Sequence, residues 1–588
     1  MKLDIKQKIK SHLLLFIIVA LAFFFRIYGL NWDQYYHLHP DERQITIVTT
    51  NIKFPQNISI SEIFSPDSPL NPKFFAYGSF PIYLLKFLGY LFSFIDSDFS
   101  SYEKINLLGR LMSAIFDSLT VLLIYLISKQ LFFSKKISIL ASSVYAFSVF
   151  PVQLSHFYAV DTLLTFFICL TLYRILLFYR YPSFKNAIII GLCFGLSLAT
   201  KISATILIVS FTLCLFVEFL LSLKRDILYQ KSSRFKKIIS YFLAIFNPKV
   251  IAKNKGFRVQ KTIFYFLSTA IATFVFFVVF EPFALLDFST FWRQINEQSL
   301  MTKDAFVFPY TLQYVGTLPY LYPLKNIFLW GLGPPFAILS LIGIYLVFKK
   351  LLKGLFSPGN ELSEGTQLIV YSFFIAYFFV VGQFDVKFMR YCLPIYPILS
   401  IFAAYVLSLS SNKIKILFYA LNFIWLFSFL NIYRFPNTRV SATKWIQQNV
   451  PAGSTILREH WDDGIPLGYN QEYNLQELTL YDTDLDPRKW SRINWQLKNG
   501  DYLVLASNRL YTPLQKLTNC QDLPVDKCYL ITSKYYQDLF SGKLGYTKVA
   551  EFTSYPRFFA IPFIDDQADE SFTVYDHPKV IIFKNNSF

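Results

Sequence analysis

The chain has 588 residues, of which 54% are hydrophobic, 19% aromatic and only 16% charged, which excludes an ordinary soluble globular protein, where about a quarter of residues carry charge. The formal net charge of +18 suggests a nucleic-acid partner, but the last 154 residues hold 16 Lys/Arg against 18 Asp/Glu. The excess therefore lies in short connections between apolar runs, the pattern of cytoplasmic loops in a membrane protein, and no nucleic acid is expected to bind.

About 20 apolar residues cross a bilayer as a helix. On that measure about eleven spans are predicted, at 13–30, 106–128, 137–151, 160–178, 186–200, 202–221, 262–280, 328–348, 367–382, 391–410 and 415–432. The first lacks a small-residue cleavage site after it and reads as an anchor that is retained. Lys2, Lys6, Lys8 and Lys10 before it, Lys135 and Lys136 after the second span, and Lys349, Lys350 and Lys353 after the eighth fall on one side, which is then cytoplasmic. The loop from Ser222 to Lys261 carries eleven Lys/Arg against the single acid Asp226. Within it KKIISYFLAIF reads either as a short helix on an anionic leaflet or as part of a solvated basic loop.

Parity leaves three extracytoplasmic segments: a first loop over 31–104, a second over 281–326, and the tail from Phe435 to Phe588. The expected organisation is a polytopic α-helical membrane domain over 1–434 and a soluble α/β domain over 435–588. In the tail, SATKWIQQNV and PRKWSRINWQLKNG read as helices, PAGSTILRE and DYLVLAS as strands, and SFTVYDHPKVIIFK as a hairpin turning at Asp576, His577 and Pro578. Cys520 and Cys528, eight residues apart in a polar stretch, can close a disulfide in an oxidising compartment. Cys169, Cys193, Cys214 and Cys392 read as buried small hydrophobes.

The outer junctions carry acids as well as bases. YYHLHPDERQ places His39, Asp41 and Glu42 just beyond the first span; Arg110 and Asp117 lie in the second. His156 and Asp161 lie between spans three and four, Lys201 between five and six, and Glu281 and Asp287 after seven. Asp385, Lys387, Arg390 and Tyr391 lie between nine and ten. Single interfacial Lys or Arg residues usually only snorkel to the headgroups. Acids at a membrane lip are costly and point to function. Mixed with bases they suit a site that handles a phosphate and a proton. Lys201, Lys387 and Arg390 can neutralise a leaving lipid phosphate, and a carboxylate can take the proton of an attacking hydroxyl.

HPDE after the first span resembles the Asp-Glu pair in the first outer loop of GT-C glycosyltransferases. More narrowly, with GRLMSAIFDSLTV, HFYAVDTLLTFF, LATKISA, EPFALLD and KFMRYCLPIYP, it resembles the bacterial branch of glycosyltransferase family 39, the protein O-mannosyltransferase-like enzymes. The resemblance implies a GT-C bundle with re-entrant or membrane-parallel helices in the outer loops. It implies Asp41 as catalytic base with Glu42 as its partner, and Arg110 and Asp161 near the site. His156, Lys201, Lys387, Arg390 and Tyr391 complete the candidate substrate-binding set. The implied activity is transfer of a hexose or pentose from a polyprenyl-phosphate donor to a hydroxyl of a protein, glycan or lipid, with inversion, on the outer face of the plasma membrane. The 281–326 loop is too short for the β-trefoil of eukaryotic members, so neither mannose nor a protein acceptor carries over.

No cofactor is certain. His37 and His39 with Asp41 and Glu42 are a ligand set for a divalent metal such as zinc or manganese. Equally, His39-Pro40 suits a helix start, with Pro40 in the first turn and two acids beside the helix dipole. EHWDD, Glu459 to Asp463, is a second polar cluster, read as acceptor-binding or surface. Two other functions stay open: a lipid or ion transporter, for which Asp117 inside a span is the argument, and a ligase of a lipid-linked glycan.

Overall fold

The structure is a computed structural model that describes residues 2–54, 59–228, 248–355, 361–468 and 471–587. KKIISYFLAIF lies outside the described residues. Helix α1 (Lys2–Ile27) leads into the first loop, which contains α2 (Pro40–Asn51) and α3 (Ser79–Phe92). Then follow α4 (Ile105–Phe132), α5 (Lys135–Ala146), α6 (Val149–Leu154), α7 (Asp161–Arg180), α8 (Phe184–Thr200), α9 (Leu207–Leu228) and α10 (Pro248–Phe280). After α11 (Phe288–Lys303) in the second loop come α12 (Pro334–Leu355), α13 (Glu361–Gly382), α14 (Tyr396–Leu409) and α15 (Asn412–Leu430).

Each of the eleven expected spans falls on helix. Among the described residues eight helices are long and apolar enough to cross a membrane. The first and fifth expected spans are shorter apolar helices, and the third is the 12-residue α5 followed by the separate turn α6. Helix α3 is apolar too, at 14 residues, and sits inside the first loop as the family resemblance implies.

The interior charges of the bundle explain themselves as ties. Asp117 accepts from Arg26 Nε at 2.6 Å and from the Tyr145 hydroxyl at 2.5 Å, joining α1, α4 and α5. All three are buried. A carboxylate so engaged is a structural joint, and the one residue that argued for transport is thereby accounted for.

The loops at one end are tied to each other. Glu281 accepts from both the backbone N–H and the hydroxyl of Ser79, at the start of α3, where a helix favours negative charge. Asp287 accepts from Asn71 at 2.9 Å and Lys73 at 3.2 Å. Gly78 donates to the Thr200 carbonyl at 3.0 Å, and any Cβ there would meet the Ala199 carbonyl oxygen at 1.8 Å. Only glycine permits that approach. These contacts hold the first loop across the ends of α8 and α10.

The tail starts with α16 (Thr438–Asn449) and builds a five-stranded sheet with order β2-β1-β3-β7-β4 from β1 (Thr455–Glu459), β2 (Asn474–Leu478), β3 (Tyr502–Leu505), β4 (Tyr546–Phe552) and β7 (Val580–Asn585). The separate ribbon is β5 (Arg557–Phe558) with β6 (Ile561–Pro562). Strand β1 is parallel to β2 and β3, whereas β7 is antiparallel to β3 and β4. Helices α17 (Pro487–Asn499) and α18 (Leu530–Phe540) complete the fold. The expected hairpin is corrected: Glu570–Thr573 is a helical turn and only Val580–Asn585 is a strand. Asp569 caps that turn through the Ser571 N–H, which commits the first half of the stretch to helix. Cys520 and Cys528 form a disulfide with Cα atoms 5.3 Å apart, and the other four cysteines are buried and free.

The tail is docked against the helical part. Phe572 lies against Trp330 and Phe429, at ring distances of 6.1 and 5.4 Å. Asp576 accepts from Gln153 at 3.0 Å and from Tyr433 at 2.8 Å, and its other oxygen meets His577.

Candidate active site

Helix α2 decides which carboxylate faces where. His39 is its N-cap and accepts from the Glu42 N–H at 3.4 Å, Pro40 opens the helix, and Asp41 and Glu42 fill the first turn. Adjacent helical residues point about 100° apart and do not share a face. Glu42 turns inward and Asp41 turns into a cavity of about 440 Å³ between the loops and the tail.

Glu42 and Asp33 are fully buried on one arginine. Arg110 donates to Glu42 at 2.6 and 2.9 Å and to Asp33 at 2.7 and 3.0 Å, and the Tyr158 N–H adds a bond to Glu42 at 3.0 Å. Burial raises both carboxyls, and the guanidinium overrides it only at Asp33, which ends below its ordinary value while Glu42 ends above. Neither Glu42 nor Arg110 lines the cavity. Their pairing fixes the start of α2 to α4. Arg43, the next residue on α2, reaches Asp463 in the tail at 3.0 Å.

Around Asp41 four charged residues run in a line. Lys201 donates to Asp161 at 2.8 Å, Asp161 lies 4.0 Å from Arg390 Nε, and Arg390 bridges Asp41. They come from the end of α8, the start of α7, the turn before α14, and α2, so four of the expected outer junctions converge. Tyr391 lies beneath Lys201, whose ammonium is 5.0 Å from its ring, and Tyr77 shares Asp41 and Lys201. Burial would raise the Asp41 carboxyl, but the Arg390 charge overrides it and holds it at about 2. Asp161 Oδ2 and Arg390 Nε face each other, both buried and without a hydrogen bond. Buried polar atoms of this kind mark a place for a ligand or water.

Three other expected residues are elsewhere. His156 is buried with Nδ1 2.8 Å from the Val152 carbonyl and Nε2 2.9 Å from that of Tyr28, and stacks on Tyr433 at 4.0 Å. Burial pushes it down to about 4 although both carbonyls act to raise it, and the ring packs in the interior away from the cavity. Lys387 donates to the Asp385 carbonyl at 2.9 Å and does not line the cavity. His39 has Nδ1 engaged in the helix cap and its ring between Phe157 and Tyr575, at 4.6 and 4.2 Å. Burial pushes it down to about 3. With Glu42 held by Arg110 as well, His39, Asp41 and Glu42 do not fit a metal site. Among the described residues no group of three His, Cys, Asp or Glu side chains could hold a metal.

The opposite wall comes from the tail. Asp462 accepts from Arg439 at 2.8 Å and from Ser507, Asp463 is 3.4 Å from Arg439, and Arg509 donates to Glu570 at 2.7 Å. Trp461 and Tyr575 add aromatic surface. The polar run EHWDD was the available signal, but Glu459 itself points away: it is buried against Tyr536 at 2.5 Å and pushed up to about 8 by burial.

Over residues 104–252, about a quarter of the chain, the sequence matches the family described as dolichyl-phosphate-mannose-protein mannosyltransferase. That stretch contains Asp161 and Lys201 but not Asp41 or Arg390. No curated protein matches. Among solved structures the chain is similar to the oligosaccharyltransferase AglB of Archaeoglobus fulgidus, in complex with an inhibitory peptide and a dolichol-phosphate. The TM-score is 0.47 at 15% identity, covering 98% of this chain and 89% of that one. It is also similar to ArnT from Cupriavidus metallidurans bound to undecaprenyl phosphate, with a TM-score of 0.41 at 13% identity over 96% and 97% of the two chains. Both likenesses are remote and neither bears on the chemistry of this cavity.

Proposed function

We propose that this protein is a membrane glycosyltransferase that moves a sugar, a hexose or pentose, from a polyprenyl-phosphate donor to a hydroxyl acceptor with inversion. The observation that carries it is the line Lys201–Asp161–Arg390–Asp41, whose Arg390–Asp41 end lines a cavity at the ends of apolar helices. The match over 104–252 to a family named for mannosyl transfer from dolichyl phosphate supports the donor type. On this reading the cavity faces the extracytoplasmic side of the plasma membrane, and the basic loops support that orientation.

The donor phosphate sits at headgroup level, where Arg390 and Lys201 are. Arginine pairs with a phosphate through parallel hydrogen bonds, lysine as a point charge. In the free protein Arg390 holds Asp41, and a carboxylate held at about 2 is a weak base. When the phosphate takes over the guanidinium, Asp41 loses its cation and gains a neighbouring negative charge. Both changes raise its pKa and strengthen it as a base. The acceptor oxygen forms a bond to the anomeric carbon as the carbon–oxygen bond to the phosphate breaks. The electron pair leaves with the phosphate, where Arg390 and Lys201 stabilise it. Asp41 takes the acceptor proton.

The test is sugar transfer by the full-length protein in proteoliposomes supplied with polyprenyl-phosphate sugars. Transfer with release of polyprenyl phosphate, slowed about 10²–10⁴-fold by Asp41→Asn, is the expected result. Flux of lipid or ions without transfer, or full transfer by Asp41→Asn to a hydroxyl acceptor, contradicts it.

A further inference from the structure

Trp461 stands where the acceptor would approach. Its backbone has φ +79, a conformation that L residues rarely adopt. It persists because its surroundings hold it: the Trp461 carbonyl accepts from Arg509 at 3.3 Å, Asp462 is fixed by Arg439, and Asp463 by Arg43. The result is a large ring, 44% exposed, on the lip of the same cavity that Asp41 lines. Tyr310 lies across from it with ring centroids 6.4 Å apart at 51°. Strain that an entire turn maintains in order to expose an apolar ring points to a ligand for that ring.

The walls say which ligand. Arg43, Arg439 and Arg509 each already pair with a carboxylate, so none of the three is left as an unpaired cation that calls for an anion. A peptide commonly adds to a sheet edge or lays an apolar helix face in a groove. Here β1, which leads into Trp461, is interior, flanked by β2 and β3, and the wall is charged. A neutral sugar ring fits both features: its apolar face stacks on an aromatic ring, and its hydroxyls donate to carboxylates and accept from guanidiniums.

We propose that the acceptor is itself a saccharide, seated on Trp461 with one hydroxyl turned to Asp41. Trp461 is then a positioning residue that selects the acceptor and leaves the donor alone. This rests on the glycosyl-transfer reading above.

The experiment uses full-length protein in nanodiscs on an array of neutral mono- to tetrasaccharides, phosphorylated sugars and Ser/Thr peptides, with polyprenyl-phosphate affinity measured in parallel. Wild-type protein should capture neutral glycans. Trp461→Ala should weaken capture at least ten-fold and Trp461→Phe should restore most of it, both with unchanged polyprenyl-phosphate affinity, which also reports that the variants are folded. Capture of peptides or phosphorylated sugars alone, no capture, or undiminished capture by Trp461→Ala overturns the proposal. Absent polyprenyl-phosphate binding with glycan capture intact instead removes the donor reading, so the two fail separately.

Discussion

Asp41 and Glu42 are neighbours in the chain and opposites in the structure. One faces a cavity and pairs with Arg390, the other is buried on an arginine that also holds Asp33. Spacing on a helix was enough to expect that they diverge, but not to name Arg110 as the partner, because it lies 68 positions away. The same contrast separates the three candidate phosphate ligands. Arg390→Ala and Lys201→Ala should each weaken polyprenyl-phosphate binding by about 1.5–3 kcal/mol, the worth of a hydrogen bond to a charged group. Lys387→Ala should leave that affinity unchanged, since its ammonium is held by the Asp385 carbonyl outside the Lys201–Asp161–Arg390–Asp41 line. Titration of the purified variants with a short-chain polyprenyl phosphate distinguishes the three.

At the scale of elements, the start of α2 is the joint on which the site depends. Glu42→Ala leaves Arg110 buried with only Asp33, and breaking a buried pair of this kind costs about 3–5 kcal/mol. Thermal unfolding in detergent should show the loss, with Glu42→Gln milder because the amide still accepts one of the bonds. The helix start itself was readable, from Pro40 and the two acids. Helix α3 was not read as an element because 14 residues fall short of a span, and the Val580 strand was read as half of a hairpin because a turn signal does not reveal the Asp569 cap. In the sheet, Glu459 sits at about 8 against an ordinary 4.5. The folded state then binds more protons than the unfolded state between those values, so this contribution to stability is full below about 4.5 and is lost as pH rises through about 8. Glu459→Gln should flatten that part of the stability–pH profile and leave sugar transfer intact. A variant that abolishes transfer would instead bring Glu459 into the chemistry.

For the whole molecule, the cavity belongs to neither half alone. Asp41 and Arg390 come from the loops of the helical part, and Trp461, Asp463 and Arg509 from the tail, more than 400 positions further along the chain than Asp41. The charges on the helical side were legible in the sequence because they stand out against apolar helices. In the tail EHWDD was legible only as acceptor-binding or surface, because charges are ordinary in a polar domain and docking alone puts Trp461, Asp462 and Asp463 on the cavity wall. Asp463→Ala removes the Arg43 bridge that links α2 to the tail. The bridge is partly exposed, so the loss in stability should be about 1 kcal/mol or less, while acceptor KM rises and polyprenyl-phosphate affinity holds. Steady-state kinetics with acceptor varied separates this from a loss of folding.

The central claim is that Arg390 exchanges Asp41 for the donor phosphate. If so, Asp41 competes with the donor in the free protein, and removing its charge should help the phosphate while crippling the reaction. The direct measurement is the affinity of Asp41→Asn for polyprenyl phosphate. The account predicts binding tighter than wild type together with slowed transfer; weaker binding by Asp41→Asn would mean that the carboxylate assists the donor, and the exchange would be wrong.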